Sequence, residues 1–176
     1  AALSLPDREV VLAPDDVAIL AVPPWAAQDL LPDLSAPDDF RAIVNGHFLF
    51  PAPASAEPMV GLIGGTAEWV FAFPDRISVT VSSADRLLDD DREDLARRLW
   101  ADVAALHRLP PELPPWQIVK ERRATFAATP EQDAKRPSAR TPWDNLLLAG
   151  DWTATGLPAT IEGALRSGRT AADLVS

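Results

Sequence analysis

The chain is acidic, rich in apolar residues and free of cysteine. Its 176 residues carry 16 Lys and Arg against 26 Asp and Glu, for a formal net charge of -10, and 47% of them are hydrophobic. This composition excludes a disordered tail, disulfides, thiolate metal sites and a general affinity for nucleic acid or anionic membranes. The length permits one substantial hydrophobic core or two small ones.

The sequence contains no pattern typical of a membrane span or a secretion signal. No apolar run approaches the ~20 residues that cross a bilayer, and the N-terminus lacks a basic region followed by an apolar core. We therefore expect a cytoplasmic protein with at most peripheral membrane contact. Because the sequence starts at an alanine within a strand-like pattern, we also expect it to be part of a longer protein.

The first segment predicts strands and one short helix. Residues 3–11 alternate weakly, and the apolar run at residues 17–22 predicts a buried strand. Pro23 and Pro24 end this strand, and proline is tolerated in the first turn of a helix. A short amphipathic helix is therefore expected from Pro24.

Alternating strands dominate the middle of the chain. Residues 42–50 place Asn45 and His47 on the face opposite the apolar side chains. This polar pair could serve a substrate as hydrogen-bond donor or acid, or it could simply face solvent. Residues 77–82, rich in β-branched side chains, predict a half-buried strand.

A hairpin with a Gly-Gly turn is predicted from the patterns at residues 59–63 and 68–73. Trp69, Phe71 and Phe73 fall on one face of its second strand. Such an aromatic stripe could line a pocket for an apolar chain, although core packing is the commoner cause.

A long helix is predicted after the acidic residues 89–94, which suit the positive end of a helix dipole. Its apolar stripe consists of Leu95, Leu99, Val103 and Leu106. The acidic residues lack the spacing of a calcium loop, so they indicate a solvated cap. His107 at the end of this helix has no nearby companions for a metal, and a structural role is expected.

A charged strand is predicted at residues 116–126. Lys120, Arg122 and Arg123 could bind a polar ligand, or they could prevent pairing at the edge of a sheet. The polar, proline-containing residues 129–142 predict a loop.

The most informative pattern lies near the end of the chain. The apolar strand at residues 145–148 ends in Gly150-Asp151, and a loop rich in Thr and Gly leads to Pro158, expected in the first turn of the last helix. A helix N-terminus offers unpaired N–H groups and partial positive charge, and an aspartate can accept hydrogen bonds from ligand hydroxyls. The pattern therefore predicts a site for an anionic or electron-rich ligand.

The last helix is predicted to bury an apolar side and to expose a charged one. The apolar side consists of Ile161, Ala164, Leu165, Gly168, Ala172 and Val175. On the charged side, Glu162 is expected to pair with Arg166 at i,i+4. The small residues Ala159, Gly163 and Ser167 form a row that would let a strand or a cofactor approach closely.

Residues 149–164, with the sequence Ala-Gly-Asp-Trp-Thr-Ala-Thr-Gly-Leu-Pro-Ala-Thr-Ile-Glu-Gly-Ala, resemble a known cofactor motif. They are similar to the C-terminal FAD-binding motif of the flavin amine oxidase and phytoene desaturase superfamily. Within it they look most like the squalene-associated branch, the hydroxysqualene dehydroxylases. Residues 116–126, 129–133 and 143–145 are similar to that branch too.

The resemblance implies FAD as the cofactor and assigns roles to single residues. Asp151 would contact the ribityl or pyrophosphate part of FAD, and the Ile161 N–H would face the pyrimidine end of the flavin. The expected cofactor-binding residues are Gly150, Asp151, Trp152, Thr155, Gly156, Pro158, Ala159, Thr160 and Ile161. No catalytic residue and no metal ligand is carried over.

The resemblance also implies a mixed α/β fold, the C-terminal part of a two-lobed FAD-binding oxidoreductase with a mixed β-sheet and packed helices. Residues 1–34 would return to the FAD lobe, residues 35–128 would belong to the substrate lobe, and residues 129–176 would form the C-terminal FAD-binding segment. The sequence has no G-x-G-x-x-G, so the N-terminal Rossmann βαβ unit is missing from it. The FAD-lobe pieces would then expose apolar surface, which favours a homo-oligomer.

The implied activity is the reductive removal of the hydroxyl group of hydroxysqualene to give squalene, an apolar isoprenoid, with reduced flavin as electron source. Carotenoid or phytoene desaturases and amine oxidases share the motif, although a chain without tyrosine makes a poor aromatic cage for an amine. A non-catalytic module of flavoprotein ancestry is a further alternative. Without the missing half, the chain alone is expected neither to hold FAD well nor to turn over.

Overall fold

The computed structural model describes residues 2–4, 7–13 and 15–175, with side chains from residue 7 onwards. The chain divides into two compact units, one formed by Ala1–Asp39 with Phe126–Ser176 and the other by Phe40–Thr125. Both units contain strands, and the combination of parallel and antiparallel pairs with packed helices confirms the mixed α/β class. No helix in the described ranges is long and apolar enough to cross a bilayer.

The strands are β1 (Ala2–Ser4), β2 (Glu9–Val11), β3 (Ala18–Leu20), β4 (Phe40–Phe48), β5 (Met59–Gly61), β6 (Trp69–Ala72), β7 (Ile77–Val81), β8 (Trp116–Phe126) and β9 (Leu146–Leu148). The α-helices are α1 (Pro24–Leu30), α2 (Arg92–His107), α3 (Pro130–Asp133) and α4 (Ile161–Asp173), and a 3-10 helix covers Ala84–Leu87.

A five-stranded sheet forms the centre of the second unit. Its strand order is β5-β6-β7-β4-β8, so the charged strand β8 lies at an edge, where charges hinder pairing with another chain. The pairs β5 with β6, β6 with β7, and β4 with β7 are antiparallel. The predicted alternation in β4 and β7 is confirmed, because Val44, Phe48, Ile77 and Val79 are all buried.

Helix α2 covers the buried face of this sheet. Leu95, Leu99 and Val103 are buried, which confirms most of the predicted stripe. Asp91 caps the helix, since its carboxylate accepts hydrogen bonds from the backbone N–H groups of residues 93 and 94. Trp100 packs against Phe48 with ring centroids 5.2 Å apart, so the aromatic rings fill the space between helix and sheet.

The connection between β5 and β6 is longer than the predicted Gly-Gly turn. The two strands are separated by residues 62–68, and this segment is held by a side chain of α2 rather than by a tight turn. One carboxylate oxygen of Asp102 accepts hydrogen bonds from the N–H groups of Thr66 and Ala67, at 2.7 and 2.8 Å. The backbone N–H groups of this segment therefore find their acceptor in a side chain distant in sequence, where a two-residue turn would satisfy them locally.

The first unit contains two small strand pairs. β1 pairs antiparallel with β2, and β3 pairs parallel with β9. The prediction of a buried strand at residues 17–22 is wrong in length and in burial, because β3 has three residues and Ile19 is exposed. In the part of the chain that the structure describes, β3 has a neighbour on one side only.

In the first unit, the predicted helix at Pro24 is confirmed, whereas the predicted loop at residues 129–142 is only partly a loop. Helix α1 begins at Pro24 as expected, with proline in its first turn. Residues 129–142 are not entirely loop, because Thr129 caps the single turn of α3. The side-chain oxygen Oε1 of Gln132 in this turn accepts hydrogen bonds from the backbone N–H groups of Asp38 and Asp39, at 2.9 and 3.2 Å.

The chain enters and leaves the second unit at neighbouring positions. The N–H of Ala127 donates to the carbonyl of Asp39 at 2.8 Å. The two connecting segments are therefore joined by a backbone hydrogen bond within the first unit.

The role of Asp102 gives a test of the fold. Replacing Asp102 by alanine leaves the N–H groups of Thr66 and Ala67 without their acceptor, and we expect it to lower the free energy of unfolding by about 1.5–3 kcal/mol. Urea denaturation of the two proteins measures the difference. The control is Asp75→Ala, which removes an exposed pair with Arg76 and should cost less than about 1 kcal/mol. Equal losses in both variants would contradict the anchoring role.

Candidate functional site

The loop that follows β9 turns at Gly150, where only glycine fits. Its φ is 154°, and a Cβ at this position would lie 2.3 Å from Nε1 of Trp152. The Gly150 N–H donates to Oγ of Ser167 in α4 at 2.7 Å. The Gly150 carbonyl accepts from Oγ1 and N–H of Thr153, at 2.9 and 3.1 Å. This residue therefore ties the end of the strand to both the loop and the last helix.

Trp152 anchors the same loop from inside the unit. Its side chain is buried, and Nε1 donates to the carbonyl of Val22 at 3.0 Å. The indole thereby connects the loop to the segment just after β3. Its predicted place in the cofactor site stays a prediction, and its side chain acts here as support for the loop.

Arg136 holds the loop from the other side, and sequence interpretation missed it. Its side chain is only 5% exposed. Nε donates to the carbonyl of Thr153 at 2.9 Å, and Nη2 donates to the carbonyl of Asp151 at 3.0 Å and to Oγ1 of Thr155 at 2.8 Å. Nη1 pairs with the carboxylate of Asp133 at 3.0 Å. One side chain thus fixes three residues of the loop.

A buried guanidinium requires this many partners. A cation loses its hydration on burial, and the loss is tolerated only where hydrogen bonds and charges replace water. The ring of Phe126 adds a further contact, 5.1 Å from the guanidinium carbon. In the sequence, Arg136 stands in a polar segment beside Lys135, and nothing in that segment distinguishes a buried arginine from a solvated one.

Asp151 lies beside the first turn of α4. Its Cβ is 3.7 Å from the position that a Cβ would take on Gly163. Burial raises the pKa of Asp151 above the ordinary range, and the positive charge of Arg136 opposes this rise without cancelling it. The carboxylate therefore lacks part of the hydrogen bonding that would stabilise its charge, and ligand hydroxyl groups are suitable donors.

Helix α4 begins later than the position of Pro158 predicted. Thr160 is the capping residue: its Oγ1 accepts from the Gly163 N–H at 3.1 Å and its carbonyl from the N–H of residue 164 at 3.0 Å. Pro158 thus precedes the cap and does not lie in the first turn. In the described chain the N–H groups of Ile161 and Glu162 have no acceptor, so the helix start can receive an electron-rich ligand.

The predicted site residues separate into two sets. The side chains of Trp152 and Thr155 are turned inward, toward Val22 and Arg136. Gly156 has a φ of 72°, and no atom lies within 4 Å of the Cβ it lacks. The surface toward solvent around the start of α4 is formed by Gly156, Pro158, Thr160 and Ile161, with Ala159 partly buried.

The predicted apolar side of α4 is exposed, whereas Gly163 and Ser167 of the predicted small row are buried and Ala159 is partly buried. Ile161 is 83% and Leu165 is 64% exposed, whereas Gly163, Ser167 and Ala171 are buried. The side of α4 with small residues is the buried one because small side chains let the helix pack closely against β9. Ala171, for example, belongs to a buried cluster with Leu147 and Ala149. The predicted pair of Glu162 with Arg166 is confirmed, at 2.7 Å.

Other polar residues that the sequence singled out have structural partners. Nζ of Lys120 donates to the carbonyls of Leu88 and Asp90, at 2.9 and 2.5 Å. Lys120 therefore fixes the backbone of the segment before α2. Arg122 lies 3.9 Å from Asp89, an exposed pair of small energetic weight.

Known proteins resemble this chain along nearly its whole length. The family model described as flavin containing amine oxidoreductase matches residues 1–176. A hydroxysqualene dehydroxylase from Sinorhizobium fredii is 59% identical over 98% of the chain, and one from Rhodopseudomonas palustris is 58% identical over 94%. The chain spans 41% and 40% of the lengths of these two relatives.

A solved structure shows the same fold at low sequence identity. A protein from Exiguobacterium sp. 255-15, assigned as a protoporphyrinogen oxidase, superposes with a TM-score of 0.59 and is 15% identical. The match covers 90% of this chain and 41% of the other. The match of the family model along the whole chain shows that the chain belongs to the family of flavin-containing amine oxidoreductases.

Proposed function

We propose that the chain is the C-terminal part of an FAD-dependent oxidoreductase that removes the hydroxyl group of hydroxysqualene reductively and so forms squalene. The observation that carries the proposal is the loop held by Arg136, which places Asp151 beside the unpaired N–H groups at the start of α4. The names and the identities of the relatives support the choice of substrate.

The residues present fit a dinucleotide cofactor. Asp151 is a half-buried acceptor with a raised pKa, suited to the hydroxyl groups of a ribityl or ribose unit. The N–H groups of Ile161 and Glu162 at the helix start suit an electron-rich carbonyl or a phosphate. The exposed turn at Gly156 leaves open space in front of them. Asp151 and the start of α4 would therefore bind FAD directly, and Gly156 would leave room for it.

In the proposed reaction, the cofactor provides the redox chemistry and the protein provides binding and orientation. When bound, reduced flavin supplies a hydride. This chain binds and orients the cofactor through Asp151 and the start of α4, and residues 35–128 would contribute the substrate lobe for an apolar isoprenoid. The remainder of the longer protein would contribute the N-terminal Rossmann βαβ unit that grips the pyrophosphate.

A substrate comparison tests the proposal. The full-length enzyme containing this chain is given hydroxysqualene, phytoene and a polyamine in separate reactions with reduced or oxidised flavin as each chemistry requires. We expect squalene from hydroxysqualene and no product from the other two. Desaturated phytoene or an aldehyde from the amine would instead indicate a desaturase or an amine oxidase, and no turnover of any kind would favour a non-catalytic module.

Two glycines, Gly150 in the loop and Gly168 in α4, give a matched pair of variants. Gly150→Ala forces a Cβ onto Trp152 in a backbone conformation that favours glycine, and we expect a loss of at least about 2 kcal/mol of stability together with loss of bound flavin. Gly168→Ala places the same methyl group in open space on α4, and it should stabilise the protein by up to about 1 kcal/mol. Thermal unfolding and flavin absorbance after gel filtration of the full-length enzyme measure both effects. Similar behaviour of the two variants would contradict the assigned geometry.

Asp151→Asn should change stability and cofactor binding in opposite directions. The folded state raises the pKa of Asp151, so it binds the proton more strongly than the unfolded state does. Stability from this group is therefore fully present below the ordinary aspartate pKa of about 4 and decreases as pH rises through the raised value. The asparagine variant without flavin should be more stable than wild type at neutral pH and equally stable at the acid end.

The same variant should bind FAD about tenfold more weakly, because a charged acceptor of hydroxyl groups has been removed. Thermal unfolding across pH and flavin titration of the flavin-free enzyme measure the two effects. A variant that loses stability at neutral pH would contradict the stated cause of the pKa shift.

A further inference from the structure

The face of the five-stranded sheet opposite α2 combines a polar half and an apolar half. Strand register places His47, Ser78, Phe71 and Met59 in one row across β4, β7, β6 and β5. A second row, two residues away along each strand, consists of Asn45, Thr80, Trp69 and Gly61. Because side chains alternate along a strand, both rows point to the same side.

Hydrogen bonds organise the polar half. Nδ1 of His47 and Oγ of Ser78 are 3.0 Å apart, and Oγ1 of Thr80 donates to Oδ1 of Asn45 at 2.7 Å. Ser78 is buried, while the other three side chains are half-buried. The imidazole is therefore oriented by its neighbour through one nitrogen. Within the described residues, its second nitrogen, Nε2, has no hydrogen-bond partner.

The apolar half is an exposed surface of large side chains. Trp69 is 43% and Met59 is 55% exposed, and Phe71 is half-buried between them. A Cβ on Gly61 would lie 3.3 Å from the Trp69 ring, so glycine allows the indole to lie close to the neighbouring strand. Such a surface suits a hydrocarbon chain better than water.

We propose that this open sheet face binds the hydroxyl-bearing end of the isoprenoid substrate, with Trp69 and Phe71 against the hydrocarbon and His47 as the proton donor to the departing hydroxyl. The assignment rests on the proposed function. Its support is the match between a surface that is polar on one half and apolar on the other and a substrate that carries one hydroxyl group on a hydrocarbon.

The chemistry of dehydroxylation requires a proton at the hydroxyl oxygen. Hydroxide is a poor leaving group, whereas a protonated hydroxyl departs as water. The proton on Nε2 of His47 goes to that oxygen, the C–O bond breaks with its electron pair on oxygen, and neutral imidazole remains to take a proton from solvent. Reduced flavin, when bound, would supply the hydride for the new C–H bond and would itself be oxidised by two electrons, so the step balances.

Histidine is well suited to this step, because it is the side chain that most often exchanges protons near neutral pH. Ser78 acts as a positioning residue: in the proton-donating form of His47, Nδ1–H would donate to Oγ of Ser78, 3.0 Å away, and Nε2 would remain for the substrate. Asn45 and Thr80 bond to each other, so they offer less free hydrogen-bonding capacity to a substrate.

The test uses the full-length enzyme with reduced flavin and follows flavin reoxidation by hydroxysqualene in a single turnover. His47→Gln should slow this reoxidation by at least about a hundredfold, while the Kd for hydroxysqualene in the oxidised enzyme changes little. Trp69→Ala should instead raise that Kd by about tenfold. Reoxidation by oxygen reports whether each variant is folded and loaded with flavin.

The chain contains two histidines, so His107 supplies a matched control. His107→Gln carries the same chemical change at the end of α2, and it should leave the single-turnover rate within about threefold of wild type. If His47→Gln fails the oxygen check, Ser78→Ala decides the question, with an expected slowing of about tenfold and no change in Kd.

The outcomes separate this proposal from the proposed function. If the wild-type enzyme forms no squalene, the proposed function is refuted, and the role proposed for His47 is refuted as well. Squalene formation at wild-type rate by His47→Gln overturns only the role of His47. A loss that appears in the Kd and leaves the single-turnover rate unchanged also overturns it, because binding alone would then explain the histidine.

Discussion

The burial of one guanidinium determines the shape of the candidate cofactor loop. Arg136 is nearly inaccessible to solvent, so each of its nitrogens must find an acceptor in the protein. The carbonyls of Asp151 and Thr153, the hydroxyl of Thr155 and the carboxylate of Asp133 are these acceptors. The loop is consequently held from behind by a cation, which leaves its other side available for a ligand.

The two charged groups at this site influence each other through the loop. Arg136 binds the backbone carbonyl of Asp151, and the aspartate side chain lies next to α4. The field of the arginine lowers the pKa of Asp151 but is outweighed by burial. A carboxylate in this condition interacts strongly with new donors, because it has lost water without gaining enough partners. Under the proposed function, hydroxyl groups of the ligand would offset part of this cost of burial.

Sequence patterns predicted the elements well wherever burial followed simple periodicity. β4, β7 and α2 each bury one face, and the alternation at Val44 or the helical spacing at Leu95 was sufficient to predict them. The turn at Gly150-Asp151 after β9 was also recognisable, whereas α4 begins at Ile161, later than the position of Pro158 predicted. These elements are decided by residues close together in the chain.

The errors come from interactions between residues that are distant in sequence. Asp102 fixes a loop more than thirty residues away, and Arg136 is buried by partners on a segment that follows it. In α4 the amphipathic pattern predicted the wrong buried side, because the Gly163 row brings helix and strand closer than the larger Leu165 could. Side-chain size, rather than hydrophobicity, selected the face.

The hydrogen bond between Ala127 and Asp39 has a consequence for how such a protein can diversify. The second unit is an insertion whose first and last residues are bracketed by two segments already bonded to each other. An insertion with adjoining ends can lengthen, shorten or change its lining without altering the separation of the residues that flank it. Under the proposed function, substrate preference and cofactor binding would then evolve almost independently, because a new inserted domain needs only to begin and end at the same pair of bonded residues.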